Sequence, residues 1–133
     1  MKDVEVVAGS GQPLAYIVRA AARSEATEFL TPDTQSLQLG FVVYRRGGVI
    51  ARYVHRPVER VTHGTAEAVL VRSGRCQLDL YDGAGRQVAT RELGPGDLAL
   101  ILGGGHGYRM LEDTVLLEIK QGPYTGPGEK EVF

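Results

Sequence analysis

Short stretches of apolar residues, separated by glycine-rich turns, run along most of the chain. The clearest pattern lies in Arg75–Tyr81, where apolar and polar positions alternate strictly. Cys76, Leu78 and Leu80 therefore share one face of a predicted strand, while the polar residues share the other. Leu98–Leu102 is apolar without interruption and predicts a further strand.

Other segments fit the same interpretation, and their spacing of roughly 8–12 residues predicts an all-β antiparallel sandwich or small barrel. The further predicted strands are Val4–Ala8, Leu14–Arg19, Leu37–Tyr44, Val49–His55, Ala66–Arg72, Arg86–Leu93, Tyr108–Leu111 and Val115–Lys120. Ala20–Leu30 is the best helix candidate, and Arg45–Gly48 is a plausible hairpin turn.

Composition narrows the class of protein. The 133 residues suit one domain, 1–133, and a net charge of −1 gives no basic footprint for nucleic acid. No apolar run approaches the ~18 residues of a membrane helix, and the N-terminus has no apolar signal core. Cys76 is the only cysteine, which excludes an intramolecular disulfide. We expect a cytoplasmic protein.

Candidate chemistry rests on the three histidines and their neighbours. Tyr53 and His55 share a face at the end of a predicted strand, Glu67 begins the next long strand, and His106 follows a run of three glycines. In a small barrel such residues can point into one cavity. Two imidazoles and a carboxylate then suit a divalent metal ion, whether Fe, Mn, Co, Ni or Zn. The alternative is that each histidine is a surface or hydrogen-bonded residue.

Residues 49–120 resemble a single-domain cupin of the RmlC-like superfamily, whose first motif is broadly G-x5-H-x-H-x(3,4)-E-x6-G. Glu67-x6-Gly74 preserves the second half of that motif. Gly48-x4-Tyr53-x-His55 resembles the first half and is one residue short. The resemblance implies the cupin double-stranded β-helix, a jelly-roll barrel, with residues 49–120 as its core and residues 1–35 as N-terminal strands.

The second cupin motif, broadly G-x5-P-x-G-x2-H-x3-N, is similar to the stretch that ends at His106. Gly96-Asp97 and Gly103–Gly105 lie at its positions, with Leu102 at the proline position and no asparagine following. The next residues resemble an uncharacterised cupin subgroup that ends in E-x-K-Q-G-P-Y. The positions of that ending are taken by Glu118, Lys120, Gln121, Gly122, Pro123 and Tyr124.

The resemblance implies a metal site formed by His55, Glu67 and His106, with Tyr53 in place of the first metal-binding histidine. A rival alignment uses His63, because His63-x3-Glu67-x6-Gly74 fits the general spacing better. We favour His55, which closes a strand with regular alternation.

Two function classes follow from this interpretation. The first is a small metal-dependent enzyme of the isomerase, epimerase or oxygenase type, acting on a polar, sugar-like or oxo-acid molecule, in which Glu67, Tyr53 or Tyr108 moves a proton. The second is a non-catalytic module that binds a small molecule in the same cavity. If Val115, Leu117 and Ile119 fill the packing between the sheets, Glu118 and Lys120 line that cavity and bind the substrate. We expect a homodimer, with no nucleic-acid or membrane partner.

Overall fold

A computed structural model describes all 133 residues, and it confirms that the chain is all-β. Strands make up 40% of the residues, and helix is confined to one 3₁₀ turn at Pro127–Glu129. No helix is long and apolar enough to cross a membrane. The chain forms two compact units, residues 1–22 with 65–133, and residues 23–64.

The first unit contains two antiparallel sheets. The five-stranded sheet has the order β1-β2-β8-β5-β10, and the three-stranded sheet has the order β7-β6-β9. Their bounds are β1 Val4–Gly9, β2 Gln12–Val18, β5 Glu67–Ser73, β6 Cys76–Tyr81, β7 Gln87–Leu93, β8 Leu98–Ile101, β9 Gly105–Met110 and β10 Val115–Lys120.

The core lies between the two sheets, and strand alternation decides which side chains enter it. Cys76, Leu78 and Leu80 of β6 are fully buried, as their predicted face requires. They pack with Ile17 and Val71 of the five-stranded sheet in one apolar cluster. Because adjacent strands keep a regular register, the neighbours of these residues on β9 and β10 also face inward.

The two lateral sides of this sandwich differ. Where β1 faces β7, the guanidinium of Arg91 donates two hydrogen bonds to the Glu5 carboxylate, from Nη2 at 2.7 Å and from Nε at 2.9 Å. On the opposite side β10 pairs only with β5, and β9 pairs only with β6. One side is therefore closed by an ion pair, and the other ends in two free strand edges without closing into a barrel.

The second unit has little regular structure. Its strands β3, Glu28–Phe29, and β4, Gly40–Phe41, form a two-residue antiparallel pair. The hydroxyl of Thr27 extends this pairing through the backbone of Val43, from whose N–H it accepts a bond at 2.9 Å. From Val43 to Ala66 the backbone forms no strand.

Three predicted elements are wrong. Ala20–Leu30 is not a helix, since the Ser24 hydroxyl donates to the Ala26 carbonyl at 2.7 Å and competes with helical bonding. Leu37–Tyr44 is reduced to β4. Val49–His55 is no strand, although the predicted turn before it forms, with the Gly48 N–H bonded to the Arg45 carbonyl at 2.9 Å. Val49–His55 has β-forming residues, but it pairs with no other strand.

Candidate functional site

A carboxylate and an imidazole meet between the two sheets near the open side. Glu67 is the first residue of β5, and His106 lies on β9 opposite Leu80 of β6. The His106 Nε2 atom lies 2.7 Å from the Glu67 Oε1 atom, a short, charge-assisted hydrogen bond. The Glu67 side chain is 8% exposed and the His106 side chain 29%, so the imidazole is the member of the pair that solvent reaches.

Lys120 and Glu118 extend this cluster along β10. Lys120 is paired with Glu67 in the strand register, and Glu118 with Val69, so both face the core side of the sheet. The Lys120 Nζ atom lies 3.7 Å from Glu67 Oε2 and 3.2 Å from Glu118 Oε2. The hydrogen bond to Glu118 raises the pKa of Lys120. The cluster thus holds two carboxylates, one ammonium and one imidazole.

Glu118 and Lys120 face inward, but not for the reason that the sequence suggested. Val115, Leu117 and Ile119 do not fill the packing between the sheets, because all three are exposed on the outer face. Leu116, which shares the face of Glu118 and Lys120, packs against the core instead. Alternation separates the two faces of β10 correctly, but it does not tell which of them points inward.

The hydrogen bond from His106 lowers the pKa of Glu67, and it outweighs the burial that raises it. The positive charge of Lys120 lowers this pKa further. Glu67 is therefore ionised at neutral pH, and its charge fixes the hydrogen on the Nε2 atom of His106. The Nδ1 atom of a neutral His106 then carries the lone pair.

Tyr108 lies beside His106 on the same face of β9, with the ring centroids 5.7 Å apart. Its hydroxyl is buried and has no hydrogen-bond partner. Burial raises the pKa of Tyr108, and the charges of Glu67 and Glu118 raise it further. The phenol consequently keeps its proton and can donate a hydrogen bond, which is a different role from that of a general base.

Gln121 is a positioning residue to which the sequence analysis gave no role. Its side-chain Oε1 accepts a hydrogen bond from the Ala66 N–H at 2.8 Å, and its own N–H donates to the Ala66 carbonyl at 3.1 Å. These two bonds hold the residue just before Glu67 against the end of β10. The only available signal was the place of Gln121 directly after Lys120 in the E-x-K-Q-G-P-Y ending.

Tyr53, His55 and His63 belong to the second unit, residues 23–64, and all three are exposed. The rings of Tyr53 and His55 contact each other edge to face, with centroids 5.3 Å apart, so the two side chains project to the same side of the segment. That agrees with the alternation predicted for them, although the segment is not a strand. The structure brings together Glu67, His106, Glu118, Lys120 and Tyr108.

The donor set does not by itself fit the three-ligand metal centre that the cupin resemblance implies. No group of three His, Cys, Asp or Glu side chains is placed to hold a metal ion. Glu67 and His106 supply two donors that are bonded to each other, and the Lys120 ammonium lies where a cation would be repelled.

Comparison with known proteins adds no relatives. No protein-family model matches the chain, and neither a curated protein nor a solved structure gives a significant match.

Proposed function

We propose that the chain binds a small polar molecule at the open side of the sandwich and transfers a proton on it with the Glu67–His106 pair. The observation that carries this proposal is the 2.7 Å bond between a buried carboxylate and a solvent-accessible imidazole. Isomerisation or epimerisation of a sugar-like or oxo-acid molecule needs such a transfer at a carbon next to a carbonyl group.

The proton transfer follows from the tautomer that Glu67 imposes. With the proton of His106 held on Nε2, the Nδ1 atom can accept a proton from the substrate. The imidazolium formed in this step is stabilised by the Glu67 carboxylate, which stays ionised throughout. Returning the proton from Nδ1 to the neighbouring carbon, while the hydroxyl proton of the substrate passes to the former carbonyl oxygen, completes an isomerisation without any net gain or loss of protons.

Tyr108 and Lys120 are suited to binding rather than to proton transfer. The Tyr108 hydroxyl lacks an acceptor and has almost no accessible surface, so it would bond to a carbonyl oxygen of a bound molecule only after its side chain moves toward the open side. Lys120 already faces two carboxylates, so the cluster carries no excess of positive charge. We therefore expect a neutral, hydroxyl-bearing substrate in preference to a strongly anionic one.

The fold proposed for this site is a cupin jelly roll whose open side is incomplete. In its support, both sheets are antiparallel, and the two residues at the motif positions, Glu67 and His106, lie on facing strands. The metal-dependent variant expected from the resemblance needs a third donor. The proposal as stated uses only the acid–base groups of this chain.

The alternative is a module that binds the same molecule without changing it. It is favoured by the absence of a third metal donor beside Glu67 and His106. Both functions predict binding, and only the first predicts exchange of a substrate hydrogen with solvent.

The two functions are separated by hydrogen exchange in D₂O. A panel of sugars, sugar lactones and oxo acids is incubated with the protein, and proton NMR records loss of signal at carbons next to a carbonyl. We expect exchange with the wild type, loss of exchange in His106→Gln, and no change in His63→Gln, the matched control from the second unit. Binding without exchange supports the module, and a panel that neither binds nor exchanges contradicts both functions.

A further inference from the structure

The strap, residues 121–133, follows β10 and begins on the five-stranded sheet. Its first residue, Gln121, exchanges two hydrogen bonds with the backbone of Ala66, at 2.8 and 3.1 Å. Ala66 directly precedes Glu67 in the chain. The strap is therefore anchored one residue away from the carboxylate of the site.

The other anchor of the strap is the ring of Phe133, which lies on the outer face of the three-stranded sheet. Its centroid is 5.1 Å from that of the Tyr81 ring, and the two rings meet edge to face. Tyr81 is paired with Gly105 at the start of β9, and a Cβ atom at Gly105 would lie only 2.5 Å from the Phe133 Cζ atom. The ring thus occupies the space that Gly105 leaves open. Because Gly105 directly precedes His106, this anchor lies one residue away from the imidazole of the site.

Between its two anchors the strap forms a turn of its own. Thr125 donates two hydrogen bonds to the Glu129 Oε1 atom, from its hydroxyl at 2.6 Å and from its N–H at 3.1 Å. These bonds lower the pKa of Glu129, and the positive charge of Lys120 lowers it further. Lys120 lies 3.7 Å from Glu67, so the middle of the strap stays near the site instead of leading away from it.

The strap is held mainly by its anchors. None of residues 121–133 is buried, and Phe133 itself is 72% exposed. Segments with few buried contacts open locally at a small free-energy cost while the rest of the fold stays closed. Release of the Phe133 ring would free the strap from the three-stranded sheet, and the bonds of Gln121 would keep its other end in place.

We propose that the strap is a gate of the site, closed when the Phe133 ring is docked on Gly105 and open when the ring is released. The closed strap covers the end of the sandwich beside the Glu67–His106 pair, and the open strap uncovers it. A closed gate would retain a bound molecule and limit the access of water, as loops that close over other sites do. This consequence for a bound molecule rests on the proposed function, whereas the docking of the ring and the shielding of His106 do not.

The first test measures how fast diethyl pyrocarbonate modifies His106, with peptide mass spectrometry to separate the three histidines. In Phe133→Ala we expect this modification to be about twofold to tenfold faster than in the wild type, the factor that corresponds to the loss of an aromatic pair. Val132→Ala is the matched control, since Val132 belongs to the same segment and is almost fully exposed, and it should leave the rate unchanged. His55 and His63 are exposed internal standards whose rates should be the same in all variants.

The second test displaces the ring without changing the strap. Gly105→Ala puts a methyl group where the Phe133 ring lies, whereas at Gly107, on the same face of β9, an added Cβ would meet nothing within 4 Å. We expect Gly105→Ala to shift the NMR signals of the Phe133 ring and to speed the modification of His106, and Gly107→Ala to do neither. Combining Gly105→Ala with Phe133→Ala should add nothing to the faster of the two, because both remove the same contact.

The proposal is overturned by an unchanged modification rate of His106 in Phe133→Ala, by an equal increase in Val132→Ala, or by equal effects of the two glycine variants. Both tests are made without substrate, so they are independent of the proposed proton transfer. Faster modification of His106 in Phe133→Ala without any hydrogen exchange in D₂O rejects the proposed enzyme and keeps the gate. Hydrogen exchange with an unchanged modification rate rejects the gate and keeps the enzyme.

Discussion

Replacing Glu67 by glutamine removes one charge from the site and keeps the size of the side chain. The amide oxygen can still accept a bond from His106 Nε2, but a charge-assisted bond at 2.7 Å becomes a neutral one. Hydrogen bonds to charged groups contribute about 1.5–3 kcal/mol and neutral ones about 0.5–1.5 kcal/mol. We therefore expect Glu67→Gln to lower the free energy of unfolding by about 1 kcal/mol at about pH 7, and the melting temperature by about 3–5 °C.

The pH dependence of this loss follows from the direction of the pKa shift. The bond from His106 lowers the pKa of Glu67 in the folded state, so the carboxylate stabilises the fold above the unfolded pKa of about 4.3. That contribution disappears as the pH falls through the folded pKa, because the wild type then becomes neutral as well. The difference between wild type and variant should be largest near pH 7 and close to zero well below the folded pKa.

Urea unfolding in a series from about pH 7 down to the most acidic pH at which the protein stays folded measures both quantities, with Glu118→Gln as the matched control. Glu118 pairs with the same Lys120, but its side chain is 42% exposed, so its substitution should change the free energy of unfolding by less than about 0.5 kcal/mol. A Glu67→Gln variant as stable as the wild type at neutral pH would contradict the prediction. It would show that the free-energy cost of desolvating the carboxylate equals the free energy gained from its hydrogen bond to His106. A difference that persists unchanged at low pH would also refute the reasoning.

Three further predictions concern the folded unit. Leu78→Ala, at a fully buried position of the core, should lower the free energy of unfolding by about 2–5 kcal/mol in chemical denaturation. Gly104→Ala should be clearly more destabilising than Gly47→Ala in the same assay, since both residues have positive φ but only at Gly104 would the new Cβ collide with the Tyr81 carbonyl oxygen. Equal losses for the two glycine variants would show that backbone conformation alone matters. Asp82→Asn should destabilise the protein at neutral pH and have no effect in strong acid, because backbone hydrogen bonds from the following turn lower the pKa of Asp82. Thermal unfolding across this pH range measures the effect, and a loss of stability that does not vary with pH would contradict the prediction.

The sequence correctly predicts those strands that pair with segments close to them in the chain. Cys76–Tyr81 has strands on both sides, and its alternation correctly separated buried from outward-facing residues. The pairing of Glu67 with His106 was expected from the cupin resemblance and from their places at strand ends. Val115–Lys120 was predicted with its observed bounds.

The predictions from sequence were wrong where the structure depends on tertiary contacts, which residue propensities do not describe. Val49–His55 has the composition of a strand, yet a strand exists only with a paired neighbour, and this segment pairs with no strand. The orientation of β10 failed for a related reason, because both of its faces carry apolar residues. The role of Gln121 was hidden because its contribution is made through the backbone of a residue 55 positions away.

Because Cys76 is buried, its reaction with a thiol reagent reports how often the core around it opens. The thiol lies at the start of β6, between Leu93 of β7 and Met110 of β9, with no exposed surface. Burial raises the pKa of Cys76, and the charge of Asp97 adds to this effect, so an alkylating reagent meets almost no reactive thiolate in the closed state. An alkylating reagent can reach the thiol only when the three-stranded sheet moves away from the five-stranded sheet, because Cys76 belongs to the apolar cluster between them. With no second cysteine to compete, the alkylation rate of the unaltered chain measures how often that separation occurs.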